Sequence, residues 1–279
     1  MIFTPGTRPD LFPKALGSGA DIVCIDLEDA VAPRQKDEAR AKTLPLFQTP
    51  PADDGIERMV RINSLRSPEG LADLSAIIAS DSPPPAIMMP KVQSPDEMRI
   101  VDELLTGPCA AIRFHVIIET NDGLAAAYEI AQSCDRIDSL LFGAVDMAAE
   151  LRTDLAWETL LYARSRLVHA AFGAGIDLID VPHLDLGDTA GLESAAAASS
   201  QLGFTGKAAI HPKQIGPINR AFTPGEATVE RARRIIAEFD RSDDGLVVLD
   251  GTLLEKPVLR SMYRIVAIAD RTSRQEKSD

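Results

Sequence analysis

One pattern recurs eight times along this chain: a short apolar run ends in a polar or charged residue, and a helical stretch follows. The runs are Ile2–Thr4, Ile22–Leu27, Arg58–Ile62, Ala86–Pro90, Arg113–Ile118, Ser139–Phe142, Asp177–Val181 and Lys207–Ile210. They are continuously apolar rather than alternating, as strands covered on both faces are. Between them, apolar residues return at three- and four-residue spacing over 38–47, 72–80, 95–105, 123–134, 156–172 and 191–202, the period of amphipathic helices. At Ser94-Pro95-Asp96-Glu97 a cap residue, a first-turn proline and two acids predict a helix start. Eight strand–helix units predict an α/β protein with a closed (β/α)₈ (TIM) barrel over residues 1–222. An open doubly wound sheet is the runner-up. It would carry a glycine-rich phosphate turn after its first strand, which PGTRPD is not.

Beyond the eighth unit the pattern changes. A charged amphipathic helix is expected over 226–241, a strand and turn over 245–251 (GLVVLDG) and a last helix over 257–271. Residues 223–279 thus form a short C-terminal extension, packed on the barrel or on a neighbouring subunit, whose tail TSRQEKSD is expected to fray. The length of 279 residues suits a single barrel, a fold of about 250 residues.

A net charge of −13 argues against nucleic acid as a partner and requires any anionic substrate to be met by local positive clusters. No apolar run reaches the roughly 20 residues of a membrane span. The start, MIFTPGTRPD, lacks the basic-then-apolar order of a signal peptide, so a cytoplasmic protein is expected. Cys24, Cys109 and Cys134 have neither disulfide nor zinc spacing and read as free thiols.

Barrels of this kind hold their sites at the carboxyl ends of the strands. The residues there are Glu28, Asp29, Arg61, Asn63, Lys91, Glu119, Asp146, His183 and His211. Carboxylates dominate, and oxygen ligands from separate strands suit Mg²⁺ or Mn²⁺ rather than Zn²⁺. Glu119 and Asp146 are the best pair, because each closes an apolar strand and the two strands are consecutive. Arg61 supplies a permanent charge that either grips a carboxylate substrate or pairs with an acid such as Glu28, and the two roles are compatible. Lys91 is read as a lysine paired to Glu119 or, in a metal-free aldolase, as a Schiff-base lysine.

At these residues the chain resembles the citrate lyase β-subunit family, which includes citrate lyase β-like proteins and malyl-CoA lyases. The matching pieces are PGTRPDLFPKAL, ADIVCIDLEDAV, VRIN, MMPKV, IIET, FGAVDMAAEL and GKAAIHPKQI, in the family's order. The resemblance implies a (β/α)₈ barrel in homotrimers or hexamers, with Mg²⁺ held by Glu119 and Asp146. It implies that Arg61 binds the keto-acid carboxylate, that Phe3, Arg8 and Lys14 contact CoA, and that Ile210 and His211 lie near the thioester. Glu28, Asp29 and Lys91 would support that centre from behind. The implied reaction is reversible Claisen cleavage of a carboxylated 3-hydroxyacyl-CoA (malyl-, citramalyl- or citryl-CoA) to a keto acid and an acyl-CoA. Arg61, Glu119 and an acid/base from the C-terminal extension would be the catalytic residues. Relatives place an aspartate in a motif like DGxMIDKP; here DGTLLEKP puts Glu255 at that position, with Asp250 as a nearby alternative. The same residues also leave open a synthase, a malyl-CoA thioesterase, a CoA-independent pyruvate aldolase, and a non-catalytic subunit of a citrate lyase complex.

Overall fold

The computed structural model describes residues 1–49, 54–242 and 245–275. Contacts divide the chain into two compact units, Met1–Ile218 and Asn219–Asp279.

In the first unit β1 (Ile2–Pro5) leads to α1 (Phe12–Leu16), β2 (Ile22–Asp26) to α2 (Lys36–Thr43), and β3 (Glu57–Arg61) to α3 (Pro68–Ile78). β4 (Ala86–Met89) is followed by α4 (Pro95–Leu104), and β5 (Arg113–Ile118) by the short helices α5 (Asn121–Ala125) and α6 (Ala127–Ala131). β6 (Ile137–Phe142) leads to α7 (Ala144–Leu151) and α8 (Leu161–Ala174). β7 (Asp177–Asp180) precedes α9 (Thr189–Leu202), and β8 (Gly206–Lys207) precedes α10 (Ile215–Phe222). The eight strands form one curled parallel sheet in sequence order. At its margins Phe3 N–H donates to Ala209 O at 3.0 Å and Ala209 N–H to Met1 O at 2.9 Å.

The middle of the concave face is apolar. Met1, Cys24, Met59, Ala86, Met88, Ile117, Leu141, Ile179 and Ala208 form one buried cluster with a member in or next to every strand. Two residues along each strand, alternation returns the same face. The chain there becomes polar in both directions: Asp26 and Arg61 toward the carboxyl ends, Glu57 and His115 toward the amino ends.

Local chemistry explains several boundaries. Thr120 stops β5 and starts α5, because its side chain accepts the Gly123 N–H. Asp188 caps α9 in the same way, and Gly203 ends it at φ 118°, a left-handed position open to glycine. The cap expected of Ser94 is not made by its side chain. Glu97 reaches back instead and accepts the Gln93 N–H at 3.2 Å. Residues 156–160, expected to open a helix, lie outside α8, with 157–160 as turns.

The second unit contains α11 (Glu226–Arg241), β9 (Leu246–Leu249), β10 (Thr252–Glu255) and α12 (Val258–Gln275). Asp250 and Gly251, at φ 51° and 76°, make the two-residue turn of the β9–β10 hairpin. Ile235, Phe239, Val247 and Leu254 are its core. Residues 272–275 of the tail expected to fray continue α12, and 276–279 lie outside the described residues. Cys24, Cys109 and Cys134 are free, the first two buried. No described helix is long and apolar enough to cross a membrane.

Candidate active site

Parallel pairing sets Asp26, the last residue of β2, beside Arg61, the last of β3. Arg61 Nε donates to Asp26 Oδ1 at 2.7 Å and Nη2 to Oδ2 at 2.5 Å. Its Nη1 stands 2.9 Å from Glu28 Oε2 and 3.8 Å from Asp29 Oδ2, and its guanidinium carbon 5.1 Å from the centre of the Phe3 ring. Burial opposes the charge on Arg61, but the Asp26 hydrogen bonds and the charges of Asp26 and Glu28 together outweigh it and raise the pKa. The Asp26 fork engages two of the five guanidinium N–H groups, so donors remain for an anionic ligand.

Glu119 follows β5 and is only 3% exposed. Burial, with the nearby charges of Glu28 and Asp146, pushes its carboxyl up to about 8. The backbone N–H of Lys91 donates to Glu119 Oε1 at 2.9 Å. Gly143, after β6, makes room for the other oxygen: a Cβ there would lie 2.3 Å from Glu119 Oε2. Asp146 sits in the first turn of α7, where the helix end favours an acid, and its side chain is 41% exposed.

Lys91 follows β4 with φ 56°, a left-handed backbone that a lysine rarely adopts. Its ammonium hydrogen-bonds Glu28 Oε1 and stands 3.7 Å from Asp29 Oδ1 and 4.0 Å from Asp146 Oδ1. The pairing with Glu119 expected from sequence is therefore made by the amide, while the ammonium pairs with Glu28. Burial opposes that charge, but the Glu28 hydrogen bond and the charges of Glu28, Glu119 and Asp29 together prevail and raise the Lys91 pKa. An ammonium so held is a poor nucleophile, which disfavours the Schiff-base reading.

Some supporting residues escaped the sequence reading. Asp26 was one, although Cys24 and Asp26 alternate along β2 and so share a face. Lys36 Nζ donates to the carbonyls of Leu27 and Glu28 at 2.8 and 2.6 Å and fixes their loop. Buried Asp73 accepts from Asn63 N–H at 2.8 Å, from its side-chain amide at 2.6 Å and from Arg40 Nε at 2.6 Å, and so fixes the turn after Arg61. These contacts bridge distant chain segments and leave no spacing signal.

The other expected residues fall as follows. Phe3 packs under Arg61. Arg8 is exposed and donates two hydrogen bonds to Asp10, and Lys14 is exposed. Ile210 is exposed, and its N–H donates to Gln214 Oε1 at 2.9 Å. His211 Nδ1 accepts the Lys213 N–H at 3.1 Å. His183 Nε2 is buried without a hydrogen-bond partner among the described residues, 3.6 Å from Asp188 Oδ2. Glu255 is exposed on β10 of the second unit, and Asp250 is ion-paired to Arg234 at 2.9 Å.

A second polar cluster lies at the opposite ends of the strands. Ligand atoms of Glu57, His115 and Asp138 lie within 4.8 Å of one another. Each already has a partner. His115 Nδ1 is 2.7 Å from Ser139 Oγ, its Nε2 is 3.0 Å from Glu57 Oε1, and both Asp138 oxygens accept from Arg113. The carboxyl-end group differs: Asp26, Glu28, Asp29, Glu119 and Asp146 outnumber Arg61 and Lys91. An all-oxygen donor set with a carboxyl held up by burial and by neighbouring acids fits a hard divalent cation such as Mg²⁺.

Residues 1–212 match the model of the HpcH/HpaI aldolase/citrate lyase family. The chain belongs to this family. It is 32% identical over 283 residues to a citrate lyase subunit beta of Leuconostoc mesenteroides subsp. cremoris, covering 97% of this chain and 92% of that one. It is 34% identical over 304 residues to an L-malyl-CoA/beta-methylmalyl-CoA lyase of Cereibacter sphaeroides, covering 98% and 95%. Among solved structures it is similar to the protein CitE of Mycobacterium tuberculosis in complex with magnesium, acetoacetate and coenzyme A. The TM-score is 0.80 at 30% identity, over 96% of this chain and 97% of that one. Members of the HpcH/HpaI aldolase/citrate lyase family thus include named lyases and a magnesium- and CoA-bound protein.

Proposed function

We propose that this chain is a Mg²⁺-dependent carbon–carbon lyase that cleaves a carboxylated 3-hydroxyacyl-CoA of the malyl-, citramalyl- or citryl-CoA type. The observation that carries this reading is the meeting of Glu119, Asp146 and Arg61 at the carboxyl ends of one sheet, with acids in excess of cations. Glu119 and Asp146 would hold Mg²⁺, with Mn²⁺ as a substitute. The metal would supply Lewis-acid stabilisation of negative charge on the keto-acid oxygens. Arg61, clamped by Asp26 and seated on Phe3, would receive the substrate carboxylate and orient it. Glu28 and Asp29 support Arg61 and Lys91 from behind.

In the cleavage direction the 3-hydroxyl gives up its proton, the C–C bond breaks to a keto acid, and the acyl-CoA enolate takes up a proton. Glu255, at the position of the relatives' aspartate, is the proposed acid/base. Phe3, Arg8, Lys14, Ile210 and His211 are the proposed CoA-side contacts. Arg8 would have to leave Asp10 to meet a phosphate. The hydrogen bonds between β1 and Ala209 support a closed barrel, taken as residues 1–222 with 223–279 as the extension. A cytoplasmic homotrimer or hexamer is the proposed assembly.

The test is turnover of malyl-CoA, citramalyl-CoA and citryl-CoA with Mg²⁺ and with EDTA, scored for keto acid and free CoA separately. Keto acid formed only with metal supports the lyase. Free CoA without keto acid would make the protein a thioesterase instead.

A further inference from the structure

Lys91 occupies an odd place for a supporting residue. Its backbone takes the left-handed conformation at φ 56°, which disfavours any residue but glycine, asparagine or aspartate. That turn has two effects at once. It aims the Lys91 amide at Glu119 Oε1, 2.9 Å away, and leaves the side chain among the acids at the carboxyl ends. There the ammonium touches Glu28, lies 3.7 Å from Asp29 Oδ1 and 4.0 Å from Asp146 Oδ1. It therefore links a carboxylate of the supporting set to a proposed metal ligand. Arg61 shares Glu28 and Asp29, with its Nη1 2.9 and 3.8 Å from their oxygens, but the ion pair to Asp146 is made by Lys91.

Resting on the Mg²⁺ reading above, we propose that Lys91 is a built-in stand-in for the metal. Its ammonium balances Glu28, Asp29 and Asp146 before a divalent ion arrives and then gives up Asp146, so that it sets the affinity of the centre. The ammonium and the ion repel, and that repulsion weakens metal uptake. It also keeps the acids from repelling one another while they wait. A site kept assembled in this way exchanges metal readily, at the expense of tightness. Lys91 acts here as a positioning residue. It needs no contact with substrate for this role.

Two variants test it by a readout other than turnover. Lys91→Gly removes the ammonium, keeps the amide that holds Glu119 and suits the left-handed backbone, so it should fold. Lys91→Met keeps the stem and the strained backbone without the charge. Calorimetric titration of each full-length protein with MgCl₂ at low salt should show affinity on the order of tenfold tighter than wild type, with the gain shrinking as NaCl is raised. Thermal melts should show a larger Mg²⁺-dependent rise in Tm for both. Lys91→Arg should stay near wild type. Equal or weaker affinity in both neutral variants would overturn the proposal, as would a gain seen with glycine alone, which would trace to the relaxed backbone. Wild-type protein that takes up no Mg²⁺ would sink the metal reading itself, a separate result.

Discussion

The two ends of the curled sheet carry polar clusters of opposite character. At the amino ends each charge has an answer: His115 lies between Ser139 and Glu57, and Asp138 is forked by Arg113. At the carboxyl ends the acids exceed the cations, Glu119 is held up to about 8, and Lys91 accepts an unfavourable backbone to reach Glu28. A satisfied cluster stabilises the fold. A cluster left with surplus charge is poised for a ligand that removes the surplus. The difference separates a structural staple from a site more sharply than residue type does, since both ends contain carboxylates.

Substitutions should therefore have opposite signatures at the two ends. The largest effect is expected from Glu119→Gln, which should lower lyase turnover on the order of a thousandfold. It should leave the metal-free melting temperature equal or higher, because it removes a carboxyl that burial and its acidic neighbours disfavour. A variant that loses stability in step with activity would place Glu119 with the staples. Arg61→Lys keeps one charge but loses the fork on Asp26, and steady-state kinetics should show a fall of about a hundredfold in kcat/KM. At the other end, His115→Ala should reverse the pattern. It strands Ser139 and Glu57 and opens a cavity, so urea unfolding should show a loss of about 2–3 kcal/mol with turnover preserved. Asp138→Asn should cost under about 1 kcal/mol, because the Arg113 pair is half-exposed.

The acidity of Glu119 sharpens the contrast further. Its folded pKa is raised from 4.5 to about 8, so the metal-free protein holds a proton there that the unfolded chain releases at lower pH. Its contribution to stability is thus full below pH 4.5 and is lost as pH rises toward 8. Mg²⁺ must displace that proton. Its affinity should climb with pH up to about 8, and calorimetry in buffers of different ionisation enthalpy should detect proton release at pH 7. Glu119→Gln should abolish that release.

Strand ends are readable in sequence because a polar residue after an apolar run is a local event. That is why Arg61, Glu119 and Asp146 could be singled out from the chain, and why the β5–β6 adjacency followed from their order. Asp26 was harder to find, since its importance comes from registry with Arg61 across a strand pair. Gly143 matters for a Cβ it lacks against a side chain 24 residues earlier. Lys91 reads as an ordinary lysine until its φ is known. The amino-end group was missed for the same reason as Asp26: Glu57 and His115 sit at the starts of non-adjacent strands, and their contact needs the curl of the sheet. Local chemistry thus reveals which residues stand at an end, and only registry reveals which of them meet.

The most direct measurement is a crystal structure of the protein soaked with Mg²⁺ and a keto acid. We expect the ion between Glu119 and Asp146, with the keto-acid carboxylate on Arg61. An ion bound instead by Glu57, His115 and Asp138, or none within reach of Glu119, would contradict the assignment of the carboxyl ends as the catalytic centre.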